Sequence, residues 1–220
     1  MKIGSKFPSL KLQTTKGNIS LPDDYSGKWI LFFSHPGDFT PVCTTEFVAF
    51  QSQLHEFEKR NTQLIGLSVE QVYSHLKWIE WIKQNLSVDI TFPIIADPIG
   101  HIANLLDLLG EEGTSTVRNV IIISPAGVVK AILIYPKEVG RNIYEIIRLL
   151  DALQLVEKRN IATPANWPQN NLIGQQVILP AAKTSDEIKK RESEVANGSF
   201  NYYDWWFCTQ DLSPSQSSSK

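Results

Sequence analysis

The chain has 220 residues, of which 42% are hydrophobic and 20% are charged, and its formal net charge is −2. This length suits one full-sized domain with an extension. The near-balanced charge provides no broad field of one sign, so we expect neither nucleic acid nor a membrane as a partner. No stretch approaches the ~18–20 apolar residues of a membrane span, and no apolar leader follows Met1, so we expect a soluble cytoplasmic protein.

Cysteine and histidine usage argues against a metal centre. The two cysteines, Cys43 and Cys208, are too far apart in sequence for a CxxC redox pair or for the close ligand pairs of a structural zinc site. The four histidines show no metal-binding spacing; they are His35, His55, His75 and His101. We therefore expect neither a metal nor another cofactor.

Apolar runs of strand length alternate with longer segments of helical periodicity. The first four runs cover residues 29–33, 64–67, 92–95 and 120–123. Between them, apolar residues recur three and four positions apart, first at Phe47, Phe50, Leu54 and Phe57, then at Val72, Leu76, Ile79 and Ile82. This alternation predicts an α/β fold, with a largely parallel sheet covered by helices on both faces.

The sequence after the fourth run predicts a hairpin and a final helix. Residues 125–127 form a Pro-Ala-Gly turn signal, and residues 128–135 have the pattern of a returning strand. Residues 143–153 follow with the apolar spacing of a helix. A mixed sheet with an antiparallel pair near its end fits a thioredoxin-like fold, although the pattern alone is also compatible with a flavodoxin-like one.

Beyond residue 162 the periodicity is lost, and prolines punctuate the chain. We predict a thioredoxin-like domain over residues 1–162 and a C-terminal extension over residues 163–220, with a short polar helix at 185–196. Residues 202–207 contain several aromatic side chains, which should pack on the core or on another subunit. Since the core already has its own helices, we predict that they pack on another subunit and that the extension is a dimerisation arm. Residues 213–220 are expected to be disordered.

The residues around Cys43 predict a reactive thiol. Thr40 and Pro41 form a helix-start signal, with a hydroxyl N-cap followed by proline at the first helical position. Cys43 then falls in the first turn, where unpaired backbone N–H groups and the positive end of the helix dipole favour an anion. Cys43 is therefore a candidate nucleophile; the alternative is a small buried hydrophobic residue.

The same segment resembles the active site of peroxiredoxins. The family pattern Pro-x-x-x-Thr/Ser-x-x-Cys is met by Pro36, Thr40 and Cys43. The match extends over residues 35–46 and the C-terminal extension, and it includes further positions that resemble the archaeal and bacterial 1-Cys subfamily: Trp78, Asp97, Pro98 and Arg118. The resemblance implies a thioredoxin-like fold and a homodimer, or a ring of dimers.

The resemblance also implies a thiol-dependent peroxidase for hydrogen peroxide and small organic hydroperoxides. The Cys43 thiolate would attack the peroxide and become a sulfenic acid, which a thiol reductant of unknown identity reduces. Thr40 would hold the peroxide through its hydroxyl, a role compatible with a plain N-cap. Arg118 would stabilise the thiolate and the charge developing on the bound peroxide. Pro36 would shield the sulfur from water.

Four further residues have weaker implied roles. His35 would contact the substrate or the oxidised sulfur, or tune the thiol, unless it is a structural histidine. Glu46 and Arg141 would support Arg118, or else form only a surface ion pair. Cys208 is either a resolving cysteine or a buried structural thiol.

The alternative function is a redox-responsive chaperone or peroxide sensor, in which oxidation of Cys43 changes assembly. Both functions need a reactive Cys43. Thr40 and Arg118, which a sensor does not strictly need, favour the enzyme. The chain lacks the Gly-Gly-Leu-Gly element of the sulfinylation-sensitive 2-Cys peroxiredoxins, so the resemblance does not extend to that type.

Overall fold

The structure is a computed structural model that describes residues 1–195 and 198–212. The chain divides into two units, Met1–Glu145 and Ile146–Lys220. The strands are β1 Leu10–Thr14, β2 Gly17–Leu21, β3 Trp29–Ser34, β4 Thr62–Ser68, β5 Ile94–Ala96, β6 Arg118–Ile123, β7 Val129–Tyr135, β8 Val177–Ile178, β9 Asn201–Asp204 and β10 Phe207–Gln210. The α-helices are α1 Pro41–Ser52, α2 Leu54–Lys59, α3 Val72–Leu86, α4 His101–Leu105, α5 Ile143–Lys158 and α6 Ser185–Glu194. Within the described ranges, no helix is both long and apolar enough to cross a membrane.

The first unit is built on a seven-stranded sheet in the order β2-β1-β5-β4-β3-β6-β7. Strands β3, β4 and β5 run parallel, whereas the β6–β7 hairpin and the β1–β2 hairpin add antiparallel pairs at the two edges. The mixed sheet and its hairpin at residues 120–135 are therefore confirmed. The expectation of a largely parallel sheet is wrong, because only the β3–β4 and β4–β5 pairings are parallel. The β1–β2 hairpin escapes prediction because its strands, LKLQT and GNISL, contain few apolar residues.

Strand β3 lies inside the sheet, and all six of its residues are buried because five of them are apolar. Side chains alternate between its two faces. Phe33 stacks on Phe50 of α1, with ring centroids 4.3 Å apart, and meets Phe47 edge-on at 5.5 Å. These aromatic contacts hold α1 against the strand that precedes it, so the loop between β3 and α1 starts and ends on a fixed base.

Helix α3 turns a different face to the interior than its apolar spacing predicts. Leu76 is 42% exposed, whereas His75 and Trp78 are completely buried. The Trp78 ring packs against Phe47 at 4.6 Å. The predicted stripe is therefore wrong at Leu76, because apolar spacing cannot identify a buried histidine whose ring nitrogens are paired.

The second unit contains a small antiparallel sheet in the order β8-β10-β9. The polar helix predicted at 185–196 is α6, although residue 196 lies outside the described residues. Tyr203 and Trp206 are each 54% exposed and stack on Phe207, with centroids 4.7 and 5.6 Å from its ring. The domain boundary at 162–163 stays a prediction, and the tail at 213–220 lies outside the described residues.

Candidate active site

Cys43 lies in the first turn of α1, as predicted, and its thiol is completely buried. Thr40 has an extended backbone, with φ −106° and ψ 143°, and Pro41 opens the helix. The Thr40 hydroxyl does not cap the helix, because it donates to the Gly37 carbonyl at 2.8 Å. The predicted side-chain cap is therefore wrong, and the hydroxyl oxygen keeps lone pairs that can accept a hydrogen bond from a ligand.

Arg118 brings its guanidinium to the sulfur of Cys43. It is the first residue of β6 and is 2% exposed, and its Nη1 lies 3.3 Å from Cys43 Sγ. Nη1 also donates to Glu46 Oε2 at 2.6 Å, while Nε and Nη2 donate to the Lys137 carbonyl at 2.9 and 2.6 Å. These bonds occupy different edges of the planar group, so the cation is held in one orientation toward the sulfur.

Glu46 joins two arginines. Besides Arg118, its carboxylate accepts a bidentate pair from Arg141, with Nε 2.8 Å from Oε1 and Nη2 2.7 Å from Oε2. Burial alone would raise the pKa of Glu46, but the hydrogen bonds and charge of Arg141, followed by the charge of Arg118, hold it below its usual value. Glu46 is 3% and Arg141 6% exposed, so the alternative of a surface ion pair is wrong.

Arg141 ties this network to the sheet. Its Nη1 donates to the carbonyls of Ser34 in β3 and Asn119 in β6, each at 2.9 Å. Its guanidinium carbon lies over the rings of Phe33 and Phe50, 5.2 and 5.5 Å from their centroids. Of the two arginines, Arg118 is the one that contacts the sulfur, and Arg141 anchors the carboxylate that orients it.

The loop between β3 and α1 carries two residues of interest besides Thr40. Pro36 is half-buried. Phe39 has a left-handed backbone with φ 56° and is 55% exposed. A bulky side chain rarely adopts this conformation, so the loop holds Phe39 at a conformational cost.

Asp38 and His75 escape prediction as site residues. Asp38 Oδ1 lies 2.9 Å from His35 Nε2, and Asp38 Oδ2 lies 2.7 Å from His75 Nδ1. All three side chains are completely buried. Asp38 lies inside the matched segment, but His75 is 37 positions further along the chain, so only the fold brings it here. The sequence feature that could have identified His75 is its position three residues before Trp78, on the same face of α3.

Cys208 belongs to the second unit. It lies in β10, is completely buried, and its Sγ donates to the Asp204 carbonyl at 3.2 Å. Both Cys43 and Cys208 are free thiols. Each is therefore chemically available for oxidation once a reactant reaches it.

The arrangement around Cys43 favours nucleophilic chemistry. A guanidinium at 3.3 Å and the N-terminal turn of a helix both stabilise a thiolate, and burial strengthens these interactions. The same guanidinium can stabilise negative charge on an oxygen atom bound next to the sulfur.

Comparisons with known proteins identify the family. Residues 3–132 match the AhpC/TSA family, and residues 152–194 match the C-terminal domain of 1-Cys peroxiredoxin. A peroxiredoxin of Methanocaldococcus jannaschii is 53% identical over 213 residues, which cover 96% of this chain and 98% of the relative. A peroxiredoxin of Thermotoga maritima is 54% identical over 207 residues, which cover 94% and 95%.

Solved structures agree with this result. A yeast mitochondrial 1-Cys peroxiredoxin is 40% identical, with a TM-score of 0.82 over 96% of this chain and 99% of that one. A cysteine-to-serine mutant of peroxiredoxin 6 from Arenicola marina is 30% identical, with a TM-score of 0.81 over the whole of both chains. The thioredoxin-like α/β fold with a C-terminal extension is thereby confirmed, and the peroxidase is favoured over the chaperone or sensor. The chain belongs to the peroxiredoxin family, in its 1-Cys type, and is a thiol-dependent peroxidase.

Proposed function

We propose that Cys43 is the nucleophile of this peroxidase and that its substrates are hydrogen peroxide and small organic hydroperoxides. The 3.3 Å contact between Cys43 Sγ and Arg118 Nη1 carries the proposal. The thiolate attacks the terminal peroxide oxygen, and an S–O bond forms as the O–O bond breaks. The leaving oxygen takes up a proton and departs as water or an alcohol. The sulfur is oxidised to a sulfenic acid by the two electrons that reduce the peroxide.

The residues around the sulfur have complementary roles in this proposal. Arg118 stabilises the thiolate and the charge that develops on the peroxide. Thr40 accepts a hydrogen bond from the peroxide O–H, since its own proton is donated to the Gly37 carbonyl. His35 supplies a further polar contact through Nδ1, a buried nitrogen that has no partner among the described residues. Pro36 limits the approach of water.

Two thiol groups complete the cycle. The first attacks the sulfenic acid, which forms a mixed disulfide and releases water, and the second restores the Cys43 thiol. The yeast relative is described with the glutathione and thioredoxin systems. We propose a reductant of this chemical class, a small or protein thiol, for this chain. A location in the cytoplasm, where such thiols are kept reduced, stays a prediction.

The proposed assembly is a homodimer, with a ring of dimers as the larger form. The stacked rings of Tyr203, Trp206 and Phe207 support this proposal. Two of the three are about half exposed, and a neighbouring subunit that covered them would remove this aromatic surface from water.

Cys43→Ser should consume no peroxide, because the variant lacks the sulfur that is oxidised. Cys208→Ser is the matched control and should react with the first equivalent of peroxide at the wild-type rate, since resolution follows oxidation. A stopped-flow measurement of peroxide loss gives both values. Substantial turnover by Cys43→Ser would refute the assignment of the nucleophile.

Arg118→Ala should slow the reaction of Cys43 with peroxide by about 10²–10³-fold, the usual loss when one charge-stabilising donor is removed. The measurement is the second-order rate constant across the accessible pH range. Lys137→Ala is the control, because the exposed Lys137 offers only its backbone carbonyl to Arg118. An unchanged rate constant for Arg118→Ala at every pH, or an equal loss for Lys137→Ala, would contradict the proposed role.

Glu46→Gln should lower the free energy of unfolding by about 3–5 kcal/mol at neutral pH, because two buried guanidinium groups lose their anion. Since folding lowers the pKa of Glu46, its contribution is present above the unfolded value of about 4.3 and is lost as the pH falls through the lower folded value. The wild type and the variant should therefore converge in acid.

Urea unfolding at a series of pH values, at one protein concentration, measures this convergence. Glu80→Gln is the control; Glu80 pairs with Lys77 on the exposed surface, so its removal should change little at any pH. A constant difference between the wild type and Glu46→Gln down to strong acid would show that the carboxylate charge is not the source of the stability.

The proposed resolving role of Cys208 requires β10 to open, because the thiol is buried in that strand. Brief peroxide treatment should then give a disulfide-linked dimer on a non-reducing gel, absent in Cys208→Ser, and the variant should lose activity faster at high peroxide. If mass spectrometry instead finds Cys208 reduced and unlinked in the treated wild type, the residue is structural and the external thiol acts directly on Cys43.

A further inference from the structure

The residues His35, Asp38 and His75 form a sealed polar cluster, which we call the His-Asp-His cluster. Their side chains are completely buried. The Asp38 carboxylate lies between the two imidazoles, 2.9 Å from His35 Nε2 and 2.7 Å from His75 Nδ1. Buried ionisable groups are costly unless paired, so the protonation of each member follows from its partners.

The Asp38 carboxyl is ionised. Burial alone would raise its pKa, but the hydrogen bonds from His35 and His75 outweigh burial and hold the pKa below its usual range. An ionised carboxylate only accepts hydrogen bonds, so both imidazoles must donate to it. The proton of His35 is therefore on Nε2, and His75 carries a proton on Nδ1.

The second ring nitrogen of His75 faces the main chain. Its Nε2 lies 3.2 Å from the Ile95 carbonyl, so both nitrogens of this ring face acceptors. His35 and His75 thus each pair with one oxygen of the Asp38 carboxylate, which leaves neither oxygen of that group without a partner.

His35 is left neutral, with a bare Nδ1. Burial lowers the pKa of His35; the hydrogen bond and charge of Asp38 oppose this only in part, and the charges of His75 and Arg141 lower it further. Nδ1 is buried and has no hydrogen-bond partner among the described residues. A buried unpaired nitrogen of this kind is an acceptor available to a ligand or an intermediate.

The ring of His35 belongs to the same part of the fold as Cys43. It meets the Phe47 ring edge-on at 4.7 Å, and Phe47 is one helical turn after Cys43 on α1. It also stacks on Trp78 at 5.3 Å, which fixes the plane of the imidazole. Asp38 in addition lies in the loop that carries Thr40, so the cluster anchors that loop as well as the ring.

We propose that Asp38 and His75 are positioning residues that hold His35 as the neutral tautomer with its proton on Nε2, so that Nδ1 accepts a hydrogen bond during the reaction at Cys43. The proposal rests on the proposed substrate contact of His35 and specifies its chemistry. In the peroxide complex and in the sulfenic acid, the hydrogen-bond donor is an O–H group, and a bare Nδ1 is its natural acceptor. No bond is formed or broken by Asp38 or His75.

The hydrogen-bonded arrangement differs from a metal site. The ligand atoms of the cluster lie within 4.8 Å of one another. Two atoms bound to one tetrahedral zinc ion at ~2.0–2.1 Å would lie about 3.3 Å apart. The two nitrogen–oxygen pairs are shorter, at 2.7 and 2.9 Å, which is the length of direct charge-assisted hydrogen bonds.

Few other charged groups face the cluster among the described residues. Arg141 acts on His35 through its charge. Glu70 Oε1 accepts from the Asp38 amide at 3.0 Å, and burial followed by the interaction with Asp38 raises the pKa of Glu70. The raised pKa favours the neutral form of Glu70, so this residue is not a strong second anion beside Asp38.

The direct test is nitrogen NMR of the ¹⁵N-histidine-labelled wild-type protein, which reports the protons on each ring nitrogen. His55→Gln and His101→Gln, at exposed positions, assign two of the four histidines. Of the two buried rings, His35 should be neutral with its proton on Nε2, and His75 should carry a proton on Nδ1. A His35 ring that is doubly protonated, or protonated on Nδ1, overturns the proposal.

Asp38→Asn tests the consequence for the reaction. The amide offers one acceptor and one donor, and an amide that donates to His35 Nε2 moves the His35 proton to Nδ1. The rate constant with peroxide should then fall at least about tenfold, and the NMR signature should change with it. A variant with the altered tautomer and an unchanged rate constant overturns the proposal.

His75→Leu provides a second, independent variant. The interaction with His75 lowers the pKa of His35, so its loss should raise that pKa. The rate should then be low where His35 holds a second proton and recover as that proton is lost at higher pH. His101→Gln is the control and should keep the wild-type pH profile. A His75→Leu profile parallel to the wild type overturns the proposal, as does a stoichiometric metal ion in the purified wild type that is lost in Asp38→Asn.

These outcomes are separate from those that test the proposed function. If Cys43→Ser kept its turnover, the nucleophile would be wrong while the proton positions in the cluster would still be measured. If Cys43→Ser were inactive and the His35 tautomer differed, only the positioning role would fail. The wild-type spectrum needs no variant, so a failure of Asp38→Asn or His75→Leu to fold does not prevent the test.

Discussion

The active site depends on a buried group of charges that contains one more cation than anion. Arg118 and Arg141 share the carboxylate of Glu46, and all three side chains are withdrawn from water. The sum of these charges is one positive unit, placed 3.3 Å from a thiol. Because a buried cation without a counter-ion is costly, this charge favours an anion at the position of the Cys43 sulfur. The reactive form of the sulfur and the stability of the network therefore have a common cause.

The fold arranges these charges from separate parts of the sequence. Cys43 and Glu46 are three positions apart on α1, so they share one face of the helix. Arg118 comes from the first residue of β6, and Arg141 grips the carbonyls of two neighbouring strands. The stacked rings of Phe33 and Phe50 fix α1 on β3 with the accuracy that such short contacts need.

Local features of the site were predictable from the sequence, and non-local ones were not. The helix start at Pro41 and the place of Cys43 follow from residues within one turn. The burial of Glu46 and Arg141 does not, because charged residues are usually exposed and only their mutual pairing permits the interior position. The burial of His75 was not predictable for the same reason, since it depends on the pairing of His75 with Asp38. The predicted N-cap by the Thr40 side chain is wrong because the Thr40 hydroxyl donates to the Gly37 carbonyl instead, and this contact depends on the shape of the loop.

The left-handed backbone of Phe39 has a consequence for the timing of the catalytic cycle. The sulfur has no exposed surface, so a reducing thiol, which is larger than a peroxide, needs the first turn of α1 to move aside. A non-glycine residue in this conformation costs on the order of 1–3 kcal/mol, and the cost disappears when the loop unwinds. Each 1.4 kcal/mol changes an equilibrium about tenfold, so release of this strain favours loop opening by roughly one to two orders of magnitude relative to an unstrained residue at this position. The contacts of Arg118 with Cys43 and Glu46 act in the opposite direction, because they stabilise the folded start of α1.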